Sequence, residues 1–316
     1  MANETTTTTA NDITYSAVIA PAFLATLAEH SLPMTWCNEY DITGQPSNAI
    51  DIPRAASDYG SADDDGAGVD TEYDATQGTA LSNVAWDTDK VTATAAEYGI
   101  QYEITDNVVE DSIQGIDVFN IIFVHMARAL ALAWTDDFCA LFASLSNSVG
   151  TTTNDLTVAN MLSAQSGIRR RGVLAEDGLV YVLDGQQGDD LEGALIATST
   201  SQAVFASAAD RILGVMASAN NGMAADRQIM TFRGYPVHTT GLTDTANAGA
   251  DVVGACFTPA GPRNGPFATY GNAIKRAFRL ETDRVIGKRT TLLVGTMRMG
   301  VAEITDGSGT KIVTDA

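Results

Sequence analysis

The stretch "GIQYEITDNVVEDSIQGIDVFNIIFVHMARALALAWTDDFCALF" (99–142) decides the fold, because it joins an extended segment to the strongest helical pattern of the chain. In the overlapping segment 91–105, apolar and polar residues alternate, which predicts a strand. The letters "DNVVEDSIQ" then predict a short helix that ends near Gly115. From 116 to 145 apolar residues recur every three or four positions, with Asp117 as a candidate N-cap. The chain therefore runs from a strand through a short helix into a long one.

The long helix carries one continuous apolar stripe. Its members are Ile116, Phe119, Phe123, Met126, Leu130, Trp134, Phe138, Leu141 and Leu145. Four further apolar residues, Ile121, Ile122, Val124 and Leu132, widen that stripe. An unbroken helix of this span would be about 45 Å long at 1.5 Å per residue, and we expect it to pack on more than one side.

Upstream, the chain makes an unusually long excursion between Ile50 and Val91. It has few large apolar side chains and is rich in Asp, Gly, Ser and Thr. A structureless loop of this length is uncommon inside a compact domain. The segment is therefore either disordered or a long hairpin that packs on another element. Before it, residues 14–30 predict a helix.

Downstream, helical and extended patterns alternate. The sequence predicts a helix over 155–171, capped by Asn154 or Asp155, and then a buried strand over 178–185. Helices are predicted near 189–198 and 201–219, followed by a strand–turn–strand over 227–240 with Gly234 and Pro236 in the turn. A buried strand over 251–259 and long antiparallel strands in the tail complete the order.

Composition excludes several classes of protein. The 316 residues are 45% hydrophobic, which is typical of a globular chain. A net charge of −21 argues against nucleic-acid binding through phosphates. We see no apolar run long enough to span a bilayer and no secretory signal. Three widely separated cysteines, Cys37, Cys139 and Cys256, predict buried reduced thiols.

The charge is unevenly distributed. Residues 1–110 hold 19 acidic residues against two basic ones, a net −17, whereas 275–289 holds six basic residues against two acidic ones. Such a division suits an assembly in which an acidic arm lies on a basic surface of a neighbour. Ordinary solvated faces explain any single cluster equally well. The "RRR" at 169–171 has two readings, a favourable helix C-terminus or an intersubunit contact.

No catalytic or cofactor constellation is evident. The three histidines have no ligand or catalytic spacing, and no phosphate-loop or nucleophile-elbow pattern occurs. Residues 61–72 nearly fit an EF-hand loop, with weak candidate ligands at Ser61, Asp63, Asp65 and Glu72. Both flanks lack helical pattern, so the sequence favours an acidic hairpin tip over a calcium site.

The order of these elements resembles the major capsid proteins of tailed phages with the Hong Kong 97 fold. The resemblance is carried by 99–142, "GLVYVLDG" (178–185), "TFRGYPVHTT" (231–240) and the closing segment after "VVGACFTPAGP" (252–262). It implies an α+β capsid fold with five parts. These are an N-terminal arm (1–47), an E-loop (48–95), a P-domain with a spine helix (96–171), an A-domain (172–261) and closing P-domain strands (262–316).

The resemblance implies a non-enzymatic shell protein. It would form hexamers and pentamers that close into an icosahedral virion around double-stranded DNA, without sequence-specific binding, and would assemble in the host cytoplasm. Expected partners are further copies of itself, a separate scaffolding protein, a portal and a cement or decoration protein; no membrane is expected. No lysine occurs between 53 and 89, which argues against the lysine–asparagine cross-link of some members. An encapsulin-type nanocompartment is the alternative with the same fold, and a monomeric enzyme or binding module is a third class.

Twelve residues are candidate intersubunit contacts: Asp63, Asp64, Asp65, Asp70 and Glu72 in the acidic arm, and Arg169, Arg170, Arg171, Lys275, Arg276, Arg279 and Arg284 on the basic surface.

Overall fold

The structure is a computed structural model, and it describes residues 32–55, 88–110, 118–170, 178–201, 228–246, 249–261 and 268–315. The helices predicted over 14–30 and 201–219, and the acidic stretch 61–74, lie outside these ranges apart from Ser201. The described helices are α1 (Leu32–Trp36), α2 (Asp106–Glu110), α3 (Val118–Ala140), α4 (Val158–Arg170) and α5 (Gly185–Ser201). The described strands are β1 (Asn38–Asp41), β2 (Ala49–Ala55), β3 (Thr88–Thr94), β4 (Ala96–Thr105), β5 (Ser148–Gly150), β6 (Val180–Asp184), β7 (Gln228–Phe232), β8 (Tyr235–Thr240), β9 (Thr245–Ala246), β10 (Asp251–Phe257), β11 (Tyr270–Val285), β12 (Thr290–Glu303) and β13 (Gly309–Asp315).

The first sheet has four strands in the order β1-β11-β12-β4. β11 and β12 form the long antiparallel hairpin that the tail predicts, from Tyr270↔Glu303 to Val285↔Thr290. β4 adds to β12 antiparallel, and β1 adds to β11 in parallel. Apolar side chains of α3 pack on this sheet against Leu293 and Met297, forming a continuous core.

Helix α3 confirms the spacing of the predicted stripe. Its central members Phe123, Met126, Leu130, Trp134 and Phe138 are all buried. The α-helix ends at Ala140 and the chain tightens into a 3-10 turn over Leu141–Ser144, so the α-helix ends before the predicted bound of 145. The expectation that the extra apolar residues widen the buried face is wrong for two of them. Ile121 is 59% exposed and Val124 45% exposed, because the sheet covers only the side of α3 that carries the stripe.

The segment predicted as one strand over 91–105 is two strands, β3 and β4, separated at Ala95. β3 pairs antiparallel with β2 from Ala49↔Thr94 to Ala55↔Thr88, forming a separate two-stranded sheet. Residues 49–94 are hereafter called the arm, and the β2–β3 pair is its root. β2 is the outgoing strand of the root and β3 is the returning strand, and the two pair antiparallel as the strands of a hairpin do. Residues 56–87 lie outside the described ranges.

The second sheet follows the order β5-β13-β10-β6-β8-β7, with β9 paired to β10. Strand β6 explains why its sequence is continuously apolar. Tyr181 and Leu183 face a core that includes buried residues of α4 and α5. Val180 and Val182 face a second core that includes Phe138 from the end of α3. A strand covered on both faces has no polar side to alternate with.

Gln187 of α5 joins three parts of the second sheet from a fully buried position. Its Nε2 donates to the carbonyl oxygens of Val252 (3.3 Å) and Ile312 (3.1 Å) and to Thr314 Oγ1 (2.9 Å). Its Oε1 accepts from the amide of Asp184 at 3.2 Å. Both ends of the amide group are therefore satisfied, as a buried polar side chain requires.

Two local predictions are corrected. Helix α4 begins at Val158, and its N-cap is Thr157, whose Oγ1 accepts from the amide of Asn160 at 3.2 Å. Asn154 and Asp155 lie before it, because the chain first completes the turn that follows β5.

The turn between β7 and β8 consists of Arg233 and Gly234, both with positive φ (53° and 89°). Two such residues match the twist of a tight hairpin. Pro236 lies in β8 opposite Thr231 instead of in the turn.

The closing segment 262–316 contributes to both sheets. β11 and β12 lie in the first sheet, while β13 pairs with β10 and β5 in the second. The last strand therefore ties the two sheets together, because its chain leaves one and enters the other within a few residues.

All three cysteines are buried. Among the described helices, none combines the length and the hydropathy that crossing a membrane requires.

Candidate assembly surfaces

The arm root is held by the ladder and by a small charged cluster on its exposed surface. Lys90 Nζ donates to Asp51 Oδ2 at 2.7 Å, and Thr92 Oγ1 donates to Asp51 Oδ1 at 2.7 Å. The hydrogen bond from Lys90 lowers the pKa of Asp51, with Thr92 adding to it, and the same bond raises the pKa of Lys90. Solvent screens an exposed pair such as this, so its contribution to stability is small.

The acidic candidates Asp63, Asp64, Asp65, Asp70 and Glu72 lie outside the described residues, as do Ser61 and Arg171. Their roles in intersubunit contact or cation binding stay predictions. Within the described ranges, no group of three or more His, Cys, Asp or Glu residues is arranged to hold a metal ion.

Three arginines of the basic surface have acidic partners within the chain. Arg276 Nη2 lies 2.7 Å from Glu97 Oε1 on β4. Arg279 Nη2 lies 2.6 Å from Glu281 Oε1, and both of these residues are on β11. Arg284 makes a two-bond contact with Asp106, at 2.5 Å and 2.7 Å. Sequence reasoning missed Glu97 and Asp106 as partners, because only the pairing of β12 with both β4 and β11 brings them within reach of the arginines of β11.

The Arg284–Asp106 pair has the best geometry of the three. Both carboxylate oxygens accept from the guanidinium, and Arg284 Nη1 also donates to Thr291 Oγ1 at 3.2 Å. The amide of Asp106 donates to the carbonyl of Arg289 at 3.1 Å. The hydrogen bonds from Arg284 lower the pKa of Asp106. The pair thus fastens the start of α2 to the tip of the β11–β12 hairpin, which favours an intrachain role for Arg284.

Arg279 is the most exposed of these arginines, with 63% of its side chain accessible. Its partner Glu281 is two residues away on the same strand and is itself 52% exposed. An exposed pair of this kind exchanges partners at little cost. Arg279 therefore remains available to a neighbouring molecule.

Arg169 and Arg170 lie in the last turn of α4, as the sequence predicts, and both are exposed. Arg169 Nη2 donates to Tyr235 Oη at 2.9 Å. Their position suits the negative end of the helix dipole. It leaves the intersubunit reading open.

Lys275 points into its own chain. Its Nζ donates to the backbone carbonyl oxygens of Gln45 and Ser47, the latter at 2.9 Å, and lies 3.5 Å from that of Ile42. These carbonyls belong to the loop between β1 and β2, immediately before the arm. Lys275 is thus engaged at the base of the arm.

Asp137 also has a partner that the sequence did not indicate. Tyr98 on β4 donates its hydroxyl to Asp137 Oδ2 on α3. Burial is the largest cause of the raised pKa of Tyr98, and this hydrogen bond adds to it. Asp137 therefore supplies one contact between α3 and the first sheet.

Several large apolar side chains of the described residues are exposed on the single chain. They are Val108, Val109, Ile121, Val124, Leu162 and Ile286. Ile286, at the tip of the β11–β12 hairpin, is 82% exposed. Sequence reasoning missed this residue, although its place in a turn beside Gly287 and Lys288 is a usable signal, since a turn seldom buries its own side chains.

No protein-family model matches the chain, and no curated protein matches it. Solved structures do match. The capsid of the cyanophage P-SCSP1u gives a TM-score of 0.60 at 13% identity, covering 90% of this chain and 88% of that one. The mature capsid of bacteriophage PhiM1 gives 0.58 at 13% identity, covering 90% and 87%. The SrpI encapsulin of Synechococcus elongatus gives 0.53 at 8% identity, covering 88% and 84%.

The likeness spans about nine tenths of the chain. The sequence identities are low, so the likeness bears on the fold. The chain has the α+β Hong Kong 97 fold of the tailed-phage capsid proteins.

Proposed function

We propose that the chain is the major capsid protein of a tailed double-stranded DNA phage or virus. It assembles as hexamers and pentamers into an icosahedral head that encloses the genome. The observation that carries the proposal is the match of nearly the whole chain to phage capsid structures. The role is structural and not enzymatic, and the protein resides in the virion.

The geometry of the arm supports assembly. Its root is a separate two-stranded sheet, and 32 residues, 56–87, continue beyond the last described pair. An isolated two-stranded hairpin is marginally stable in water. A long hairpin on a fixed root is therefore best stabilised by packing on another molecule, and in a shell that molecule is a second copy.

Charge complementarity supports the same arrangement. Residues 56–87 hold eight acidic residues and neither lysine nor arginine. Exposed arginines of the described surface, Arg279 with Arg169 and Arg170, are the receiving groups best placed to exchange partners. Arg276 and Arg284 contribute less, since their acidic partners lie on another strand or helix of the same chain. Complementary potentials of this kind fix register and steer encounter.

The further partners follow from the same proposal. A separate scaffolding protein directs assembly, a portal occupies one vertex, and a cement or decoration protein or non-covalent contacts reinforce the shell. The first lysine of the chain is Lys90, which is paired with Asp51 at the arm root, so lysine cross-linking at the arm is not part of the proposal. Double-stranded DNA is enclosed without sequence-specific contacts, and assembly takes place in the host cytoplasm.

The second candidate is an encapsulin-type nanocompartment, which the match to the Synechococcus elongatus shell favours. Both candidates predict closed shells, and they differ in content. Particles purified from their source would contain nuclease-protected double-stranded DNA for a phage head and a packaged protein for an encapsulin. A shell that holds protein cargo and no DNA would contradict the capsid proposal.

Negative-stain electron microscopy of the expressed protein tests the proposal directly. We expect closed particles or ring-shaped capsomers, and a variant with 56–87 replaced by a short Gly-Ser linker should stop at small species. Circular dichroism of the variant should retain the helix and strand signals, because both main sheets are untouched. If the intact chain remains at about 33 kDa on sizing under all conditions, with the scaffold co-expressed, the proposal is wrong.

A further inference from the structure

We propose that Lys275 is a positioning residue that fixes the direction in which the arm leaves the first sheet. Its ammonium group is directed at three backbone carbonyls of the loop over 42–48, those of Ile42, Gln45 and Ser47. An ammonium group has three donors. A single side chain thus engages the whole loop that connects β1 to the arm.

Residues 42–48 belong to neither β1 nor β2, so their carbonyls have no strand partner. The carbonyl of Ile42 accepts from the amide of Gln45 at 3.2 Å. Short local contacts shape the loop at both ends. Asp41 Oδ1 accepts from the amide of Thr43 at 2.8 Å, and Ser47 Oγ accepts from the amide of Ala49 at 3.1 Å. Lys275 adds the contact that ties the loop to β11.

The position of Lys275 on β11 explains why its side chain can reach the loop. The pairing of β11 with β12 shifts register between Ile274 and Arg276, so Lys275 occupies an irregularity of the strand. An extra residue of this kind bends a strand and redirects its side chain. The amide of Ile42 also donates to the carbonyl of Ile274 at 2.9 Å, which holds the start of the loop against the same point.

The returning strand of the arm is fixed independently. The amide of Ala95 donates to the carbonyl of Asn48 at 2.8 Å. The junction between β3 and β4 crosses Gly300 so closely that a Cβ there would lie 2.0 Å from the carbonyl oxygen of Thr94. Lys275 therefore fixes the loop that leads into β2, and the absence of a side chain at Gly300 leaves room for the chain that returns from β3 to β4.

Strands β2 and β3 of the root are where residues 56–87 begin and end, so a change in the direction of the root changes the direction in which that segment leaves the first sheet. We infer that the Lys275 contact selects one arm direction before any neighbour is present. In a shell, that direction would set where the acidic tip meets the next subunit. This consequence for shell geometry rests on the proposed function, whereas the contact and its effect on the root do not.

Hydrogen exchange of the unassembled full-length protein tests the contact. Lys275→Met keeps the length of the side chain and removes the donors. Amides over 42–55 should exchange about tenfold faster, since charge-assisted contacts to the backbone are lost, and amides over 88–95 should change less, because the returning strand is fixed by other contacts. Amides of β10 should be unchanged. Lys311→Met is the matched control, because Lys311, in β13 of the second sheet, donates its Nζ to one carbonyl, that of Ala143 in the 3-10 turn, at 3.1 Å.

Two further variants keep the contact testable. Lys275→Arg retains the charge but presents its donors in a plane, so it should raise the exchange rate of the root amides less than Lys275→Met does. It replaces Lys275→Met in the test if that variant does not fold. Gly300→Ala forces the β3–β4 junction away and should raise exchange over 88–95. Unchanged exchange at the root in both Lys275 variants would overturn the proposal.

Electron microscopy then tests the consequence for geometry. Lys275→Met should give shells of mixed size or open sheets where the unchanged protein gives uniform particles, and Lys311→Met should give uniform particles. Faster root exchange with identical shells would refute the role in arm direction. If the unchanged protein forms no shells, the proposed function fails, and the exchange data alone decide the role of Lys275 at the root.

Discussion

The second sheet and the arm root use polar groups in opposite ways. In the second sheet, the amide of Gln187 is fully buried and makes four hydrogen bonds to the backbone and to Thr314. At the arm root, Asp51 and Lys90 are at least half exposed and pair on the surface. A buried polar group that loses its partners is costly, whereas an exposed pair is screened by water. The second sheet is therefore held together by a buried group whose partners all lie in the same chain, whereas the surface pair at the arm root adds little stability.

The largest expected effect comes from breaking the buried network. Gln187→Ala leaves the amide of Asp184 and the carbonyls of Val252 and Ile312 without this partner, and it also opens a small cavity. We expect the free energy of unfolding to fall by about 3 kcal/mol. Chemical denaturation measures it, and the exposed neighbour offers a matched control, since Gln186→Ala should change stability by less than about 0.5 kcal/mol. Equal effects of the two substitutions would contradict the role of Gln187.

An intermediate effect is expected at the end of the first sheet, and it depends on pH. Arg284 holds the pKa of Asp106 below its ordinary value of about 3.9. A carboxyl with a lowered folded pKa contributes stability above its unfolded pKa and loses it as the pH falls through the folded pKa. The stabilising contribution should thus be present at neutral pH and decline as the pH falls below about 4 toward the folded pKa.

The comparison that checks this is the denaturation midpoint of the unchanged protein and of Asp106→Asn at pH 7 and at pH 3. The two proteins should differ at pH 7, and the difference should be smaller at pH 3, because a protonated carboxyl no longer pairs with Arg284. Asp283→Asn is the control, since Asp283 lies one position before Arg284 on an exposed part of β11. A difference that persists unchanged at pH 3 would rule out the ion pair as its cause.

The smallest effect on folding, but a clear effect on assembly, is expected at Arg279. Arg279→Glu should leave the unfolding transition within about 0.5 kcal/mol, because its partner is an exposed residue of the same strand. It should lower the yield of shells, since it repels the acidic arm. Arg284→Glu should lower both stability and yield. Normal shells from Arg279→Glu in microscopy would remove Arg279 from the proposed receiving surface.

Local pattern predicted most of the described elements. The stripe of α3 and the alternation of the tail are visible in the sequence because the residues that face a core recur at the period of a helix or of a strand. The break between β3 and β4 also left a trace. Apolar residues fall on odd positions through Ala95 and on even positions from Tyr98, a change of phase that a single strand does not make.

The partners of the charged residues could not be predicted in this way. Lys275 and Arg284 read as surface cations, yet one engages a loop some 230 positions away and the other an aspartate 178 positions away. The positive-φ turn at Arg233 was likewise hidden, because arginine is not a residue that favours such a conformation. Contacts across this separation depend on strand order, and strand order is not encoded in local spacing.

The sequence by itself determined the elements, the acidic character of the arm and the order that resembles a capsid fold. Periodicity and charge are local properties, so they can be read from the sequence without knowledge of the fold. Only the tertiary structure decided that β13 joins the second sheet, that Gln187 binds the sheet together from inside, and that the basic residues of β11 divide between intrachain partners and open surface. Those outcomes depend on which distant segments are brought within hydrogen-bonding distance, and that is fixed when the two sheets form.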